Sequence, residues 1–270
     1  TQRWEKVKSQ NVIGLIEGSQ YPDEIILLSS YYDSYSIAPT AAPGAEESAG
    51  ISVLLEIAKY FAKPENRPKH TVMFAAFSGH HQFLAGSIAF SEKYFSQYTQ
   101  VQNPANFNFG LKIKLNVNLD LSMGFPVLYF SAEGPGFHAF GGDVIWGGYY
   151  ANMRNYFEAI VNEVIAQKPF GRTYPTPEYD HMMSTGTYMI AEIEGRVQAW
   201  KDVPYDHESL WANYVPAYSI STAYDSRPQY EEPFDTMQWI DSRKDAWSNL
   251  QAPVSYTHLR AHEKGRNLVC

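Results

Sequence analysis

Apolar positions along the chain alternate between strand-like runs and helix-like spacings. Asn11 to Glu17 (NVIGLIE) and Glu24 to Ser30 (EIILLSS) read as strands joined by a turn containing Tyr21-Pro22-Asp23. Between Ser48 and Ala62 the apolar residues Ile51, Leu54, Leu55, Ala58 and Phe61 fall on one helical face. Glu46 and Glu47 stand near the positive end of that helix, and Pro64 and Pro68 close it. Thr71 to Phe77 (TVMFAAF) is apolar throughout, as a central strand covered on both faces must be. A helix is predicted over Ser87 to Tyr98, a strand over Leu111 to Leu121 ending near Asp120, a last strand around Val215 to Ile220, and a helix after Thr236.

Strand, helix, strand, helix, strand in this order implies an α/β fold, a three-layer sandwich with a mostly parallel central sheet. Ligands of such sheets bind outside the carboxyl ends of the strands, so the segments after Ser30, Phe77 and Leu119 are expected at one rim. The stretch 125–204, rich in glycine and aromatic residues and holding one clear helix at roughly Asn152 to Gln167, reads as an insertion or lid over that rim. Residues 1–252 then form a single domain. The stretch 253–270, with VSYTHLRAHEKGRNLVC from Val254 to Cys270, resembles a translated sequencing-adapter tail and is set aside.

Composition narrows the classes of function. At 270 residues and 44% hydrophobic content the chain can bury a full core. A net charge of −8 argues against nucleic acid as a partner, since a phosphate-tracking surface is basic. The lone cysteine, Cys270, offers neither a disulfide nor a thiolate metal site, and no apolar run is long enough to span a bilayer.

The segments that meet at the expected rim carry the chemistry: YYDS at Tyr31 to Ser34, PGAEESAG at Pro43 to Gly50, FSGHHQFLAGS at Phe77 to Ser87, NLD at Asn118 to Asp120, and YDHESLWANYVP through YEEPFDT at Tyr205 to Thr236. In order and spacing they resemble the zinc exopeptidase family of bacterial leucyl aminopeptidases and glutamate carboxypeptidase II, over roughly Asn11 to Trp247. The resemblance implies a zinc-aminopeptidase-like fold. It also implies two zinc ions that share a bridging Asp, with one His on each metal, a further Asp and Glu, and a second Glu as general base. Such a metal pair polarises a carbonyl and lowers the pKa of bound water, so ligand identity is part of the chemistry.

Carried over residue by residue, most of that set is replaced. Tyr31 stands at the first His position, and Glu46 at the bridging Asp. His80 occupies the base position and His81 the neighbouring Glu ligand. Glu231 takes the place of the last His, and only Asp120 keeps its residue type. Asp33, Asp206 and His207 match supporting positions of the family.

Two readings follow. The rim is either a reassigned metal site using His81, Glu231, Asp120 and Glu46, which suits zinc or another divalent metal, or a hydrogen-bonded polar surface left where a metal site has been lost. The second predicts a non-catalytic peptidase-like domain that needs no cofactor and serves for binding or as a scaffold, with a peptide or protein ligand. The first predicts an active metallo-aminopeptidase or related hydrolase with His80 or His81 as base. By resemblance alone the expected location is extracytoplasmic or membrane-attached.

Overall fold

A computed structural model describes residues 8–34, 47–95, 112–121, 128–131, 205–211 and 215–222, together with 6, 44, 45, 213, 236 and 238. They form a six-stranded sheet in the order β1-β3-β2-β4-β6-β5. The strands are β1 (Val12–Ile16), β2 (Tyr21–Tyr31), β3 (His70–Phe77), β4 (Ile113–Asp120), β5 (Leu128–Ser131) and β6 (Ala217–Thr222). The central four run parallel, and β1 and β5 are antiparallel edges. Around it lie α1 (Ser48–Phe61), a 3-10 turn (Pro64–Asn66), α2 (Ala85–Phe95) and the short α3 (Glu208–Trp211). Among the described residues no helix is long and apolar enough to cross a membrane.

Neighbouring side chains on β2 show the layers, because successive residues of a strand face opposite ways. Ser30 faces α1, where a methyl group added to Gly50 would lie 2.5 Å from its Oγ. Ser29 faces the other side and donates to Asn118 Oδ1 at 3.1 Å. Asn118 donates in turn to Ser219 Oγ, which meets His207 beside α3. Helices therefore cover both faces. Leu27, Ile57, Phe77, Phe90 and Leu119 are almost fully removed from water between the layers, each burial stabilising by about 2 kcal/mol.

Three expectations change in detail. Asn11 to Glu17 and Glu24 to Ser30 do form strands, but β1 pairs with β3 rather than with its sequence neighbour β2, and Tyr21-Pro22-Asp23 belongs to β2 itself. The link between them is tied to the start of β3 instead. The Gly18 amide donates to Thr71 Oγ1, Ser19 N–H to Pro68 O, and a side chain on Gly18 would strike the backbone of His70.

The buried face of α1 is also rotated from the expected one. Ala49, Gly50, Val53, Leu54, Ile57 and Phe61 are buried, whereas Leu55 is 56% exposed. Gly50 is the cause. Lacking Cβ, it lets the helix backbone approach Ser30 and the carbonyl of Leu119, which turns that side inward.

Finally, residues 128–131, within the stretch read as an insertion, are a sheet strand, so the sheet reaches into that stretch. The rest of 125–204, its predicted helix over Asn152 to Gln167 and the stretch 253–270 lie outside the described residues. The helix expected after Thr236 also lies outside them, apart from Thr236 and Gln238.

Candidate site at the sheet rim

β2 and β3 end in register, with Tyr31 opposite Phe77, so the loops that follow them rise side by side. The β3 loop turns back tightly. Gly79 takes a left-handed φ of 69°, and Phe83 and Leu84 take φ of 55° and 58°. For non-glycine residues that conformation carries strain. It is held by Leu84 N–H to His80 O at 3.0 Å and Ala85 N–H to Gly79 O at 2.9 Å. Asp33 braces the loop from β2, its carboxylate accepting from the backbone N–H groups of His80 at 3.1 Å and His81 at 3.4 Å.

Inside this loop three rings pack together. Tyr31, 1% exposed, stacks face to face on His80 with centroids 4.1 Å apart and planes 15° apart. His81 meets both edge-on, at 5.7 Å from Tyr31 and 5.1 Å from His80. On its far side His80 Nδ1 lies 2.9 Å from Oδ2 of Asp206, a fully buried carboxylate. Its other oxygen, Oδ1, has no hydrogen bond among the described residues.

Burial and charge act oppositely on the two imidazoles. Burial works to depress His80, but the hydrogen bond and charge of Asp206, helped by Asp120 and Asp33, outweigh it and raise the pKa above 6.5. For His81 the balance falls the other way. Burial, with repulsion from His80, pushes it down to about 4. His80 is therefore shifted toward its protonated form and His81 toward its neutral form.

The structure thus brings Tyr31, Asp33, His80, His81 and Asp206 together at the rim. Asp120, buried at the end of β4, acts on both imidazoles through its charge. His207 does not join them; it stacks on Tyr205 and lies 2.7 Å from Ser219 Oγ, pinning the 205–211 segment to β6. Glu46 and Glu231 lie outside the described residues.

Two features escaped the motif-based reading. One is the polar ladder of Asn116, Ser29, Asn118 and Ser219 running across the sheet. The i, i+2 asparagines in KLNVNLD were its visible signal. The other is the burial of Glu47, read from the sequence only as a charge near the positive end of α1 and found enclosed beside Gly44.

Of the positions that would hold or serve a zinc pair, Glu46 and Glu231 are not described, and the described ones make no complete donor set. The first His position holds a phenol locked in a stack, the base position holds an imidazole bound to Asp206, and no three His, Cys, Asp or Glu side chains among the described residues stand where they could hold a metal ion.

The sheet order, its covered faces and this rim define an α/β exopeptidase-type fold of the zinc aminopeptidase kind. A zinc aminopeptidase from Bacillus subtilis superposes with a TM-score of 0.53 over 94% of this chain and 49% of its own, at 15% identity. A glutaminyl cyclase from Fimbriiglobus ruber gives 0.54 over 92% and 74%, at 14% identity. The sequence profile of peptidase family M28 matches residues 11–252, and the chain belongs to that family.

Curated relatives agree over shorter stretches. A probable zinc metalloprotease of Pyrenophora tritici-repentis is 34% identical over 93 residues, 33% of this chain and 21% of its own length. Aminopeptidase NAALADL1 of Rattus norvegicus is 30% identical over 99 residues, 35% and 13% respectively. The match therefore spans about a fifth or less of these relatives.

Proposed function

We propose that this chain is a peptidase-like domain whose rim binds a peptide or protein without hydrolysing it. One observation carries the reading: the Tyr31–His80–Asp206 stack, in which the residue at the family's base position is buried, tied to a carboxylate and shifted toward its protonated form. Hydrolysis needs a group that can take a proton from water. Asp206 favours the form of His80 that already holds that proton, and Tyr31 fills the space an imidazole ligand would use. Membership of the family implies zinc, yet the residue at the first His position, Tyr31, is packed on His80, and His80 at the base position is tied to Asp206.

The test is metal content together with turnover. Purified protein is expected to hold no stoichiometric zinc, manganese or iron, and its melting temperature is expected to ignore added metal. Cleavage of aminoacyl nitroanilides that disappears with a chelator and in His81→Ala would overturn the proposal. It would favour a second reading, a metal-dependent hydrolase with a rearranged site. That reading is supported by His81, whose imidazole is neutral, partly accessible and close to the charges of Asp33 and Asp120, the form in which histidine binds metals.

A further inference from the structure

Beside the rim, between the start of β1, the β3–α2 loop and the end of β2, runs a groove of about 680 Å3. Ser9, Gln10, Ser34 and Gln82 line it, and their side chains carry no hydrogen bond among the described residues. Among the described residues that line it, Asp33 is the only ionisable one. One flank is made of the small residues Ala85, Gly86 and Ala89 of α2. Between Gln82 and Ala85 the left-handed turn holds Phe83 out in water, 91% exposed.

We propose that this groove takes a cationic side chain, an arginine guanidinium foremost, presented by a peptide partner. The charge balance points that way: a carboxylate with no cation among the described lining residues, on a chain of net charge −8, repels anions and attracts cations. A guanidinium has only donors, five in a planar fork, and the groove offers acceptors in the Asp33 carboxylate, the glutamine carbonyls and the serine hydroxyls. The small-residue flank admits a slender alkyl stem. A neutral sugar would use the same hydroxyls but would gain nothing from the carboxylate.

The site goes beyond the proposed function and acts whether or not the rim holds a metal. Its test uses substitutions on exposed Ala89, since Asp33 also braces the His80–His81 amides. The probes are N-acetyl-alanyl-arginyl-alanine amide and its citrulline counterpart, blocked at both ends against exopeptidase cleavage, titrated by calorimetry. The arginine peptide is expected to bind at least about tenfold more tightly than the citrulline peptide, and more weakly as salt rises. Ala89→Lys should abolish binding and Ala89→Glu should strengthen it severalfold, both being good helix formers. Equal affinity for the two peptides, equal weakening by both substitutions as a neutral ligand would give, or no binding at about 10 mM peptide would each overturn the assignment.

Discussion

Tyr31 and His80 come from different strand ends, yet their rings lie 4.1 Å apart and nearly parallel, the phenol sealing the imidazole against Asp206. The stack explains how a buried imidazole can be shifted toward its charged form. One face is covered by an aromatic π-system, and Nδ1 is matched by a carboxylate. Removing the phenol opens a hole at a fully buried position. Tyr31→Ala is expected to cost about 3–5 kcal/mol in urea denaturation, the range for losing a buried aromatic. A loss within error of zero would mean that the stack is not part of the core.

Asp206 is the second support. Asp206→Asn keeps the shape but replaces the carboxylate by an amide, and a neutral His80 can still accept from that amide through Nδ1. The cost is therefore expected at about 2 kcal/mol, that of one hydrogen bond to a charged group. The His80 C–H shifts in NMR titrations should move to a lower pKa. An unchanged titration would separate His80 from Asp206.

Stability should pass through a maximum near neutral pH. The folded pKa of His80 lies above 6.5, so its contribution is complete below that value and is lost as pH rises through the raised one. His81 acts in the opposite sense. Its folded value is about 4, so its contribution is complete above 6.5 and drains away as pH falls toward 4. In melting curves from pH 4 to 9, His80→Gln should flatten the alkaline limb and His81→Gln the acid limb. Parallel profiles for wild type and both variants would contradict the assignment.

Local pattern revealed the strands and helices, but not what lies against them. The apolar run at Thr71 to Phe77 was enough to place a central strand, and the alternation of elements was enough for a parallel sheet. That β1 would pair with β3 depended on Gly18 packing against the backbone of His70, a contact between residues far apart in sequence. At the site, the positions of Tyr31, Asp33, His80 and His81 were readable from motif order. The pairing of His80 with Asp206 spans 126 residues, and only the fold brings those two together.

The rotated face of α1 gives a direct packing test. In Gly50→Ala the new methyl would sit 2.5 Å from Ser30 Oγ and 2.7 Å from Leu119 O, distances that force the helix off the sheet. The expected cost is about 1–3 kcal/mol, although alanine is the better helix former by about 1 kcal/mol. Leu55→Ala, on the exposed flank, should stay within about 0.5 kcal/mol of wild type. Equal losses at the two positions would mean that Leu55, not Gly50, faces the sheet.

The decisive prediction concerns reinstalling the family's donors. Tyr31→His, Glu46→Asp, His80→Glu, His81→Glu and Glu231→His together restore the residue types that the resemblance assigns to the ligand and base positions, on a frame that already keeps Asp33, Asp120 and Asp206. Without metal this variant should be less stable than the native chain. Asp206 would lose its His80 partner, and carboxylates would converge on Asp120 in a buried rim. Zinc should reverse that loss, because a cation bound only by the folded state stabilises by mass action. A rise in melting temperature of about 5 °C or more at saturating zinc is expected for the variant and none for the native chain. Stabilisation of the native chain by as much as the variant would show that His81 and Asp120 still hold a metal, and would return the rim to hydrolytic chemistry.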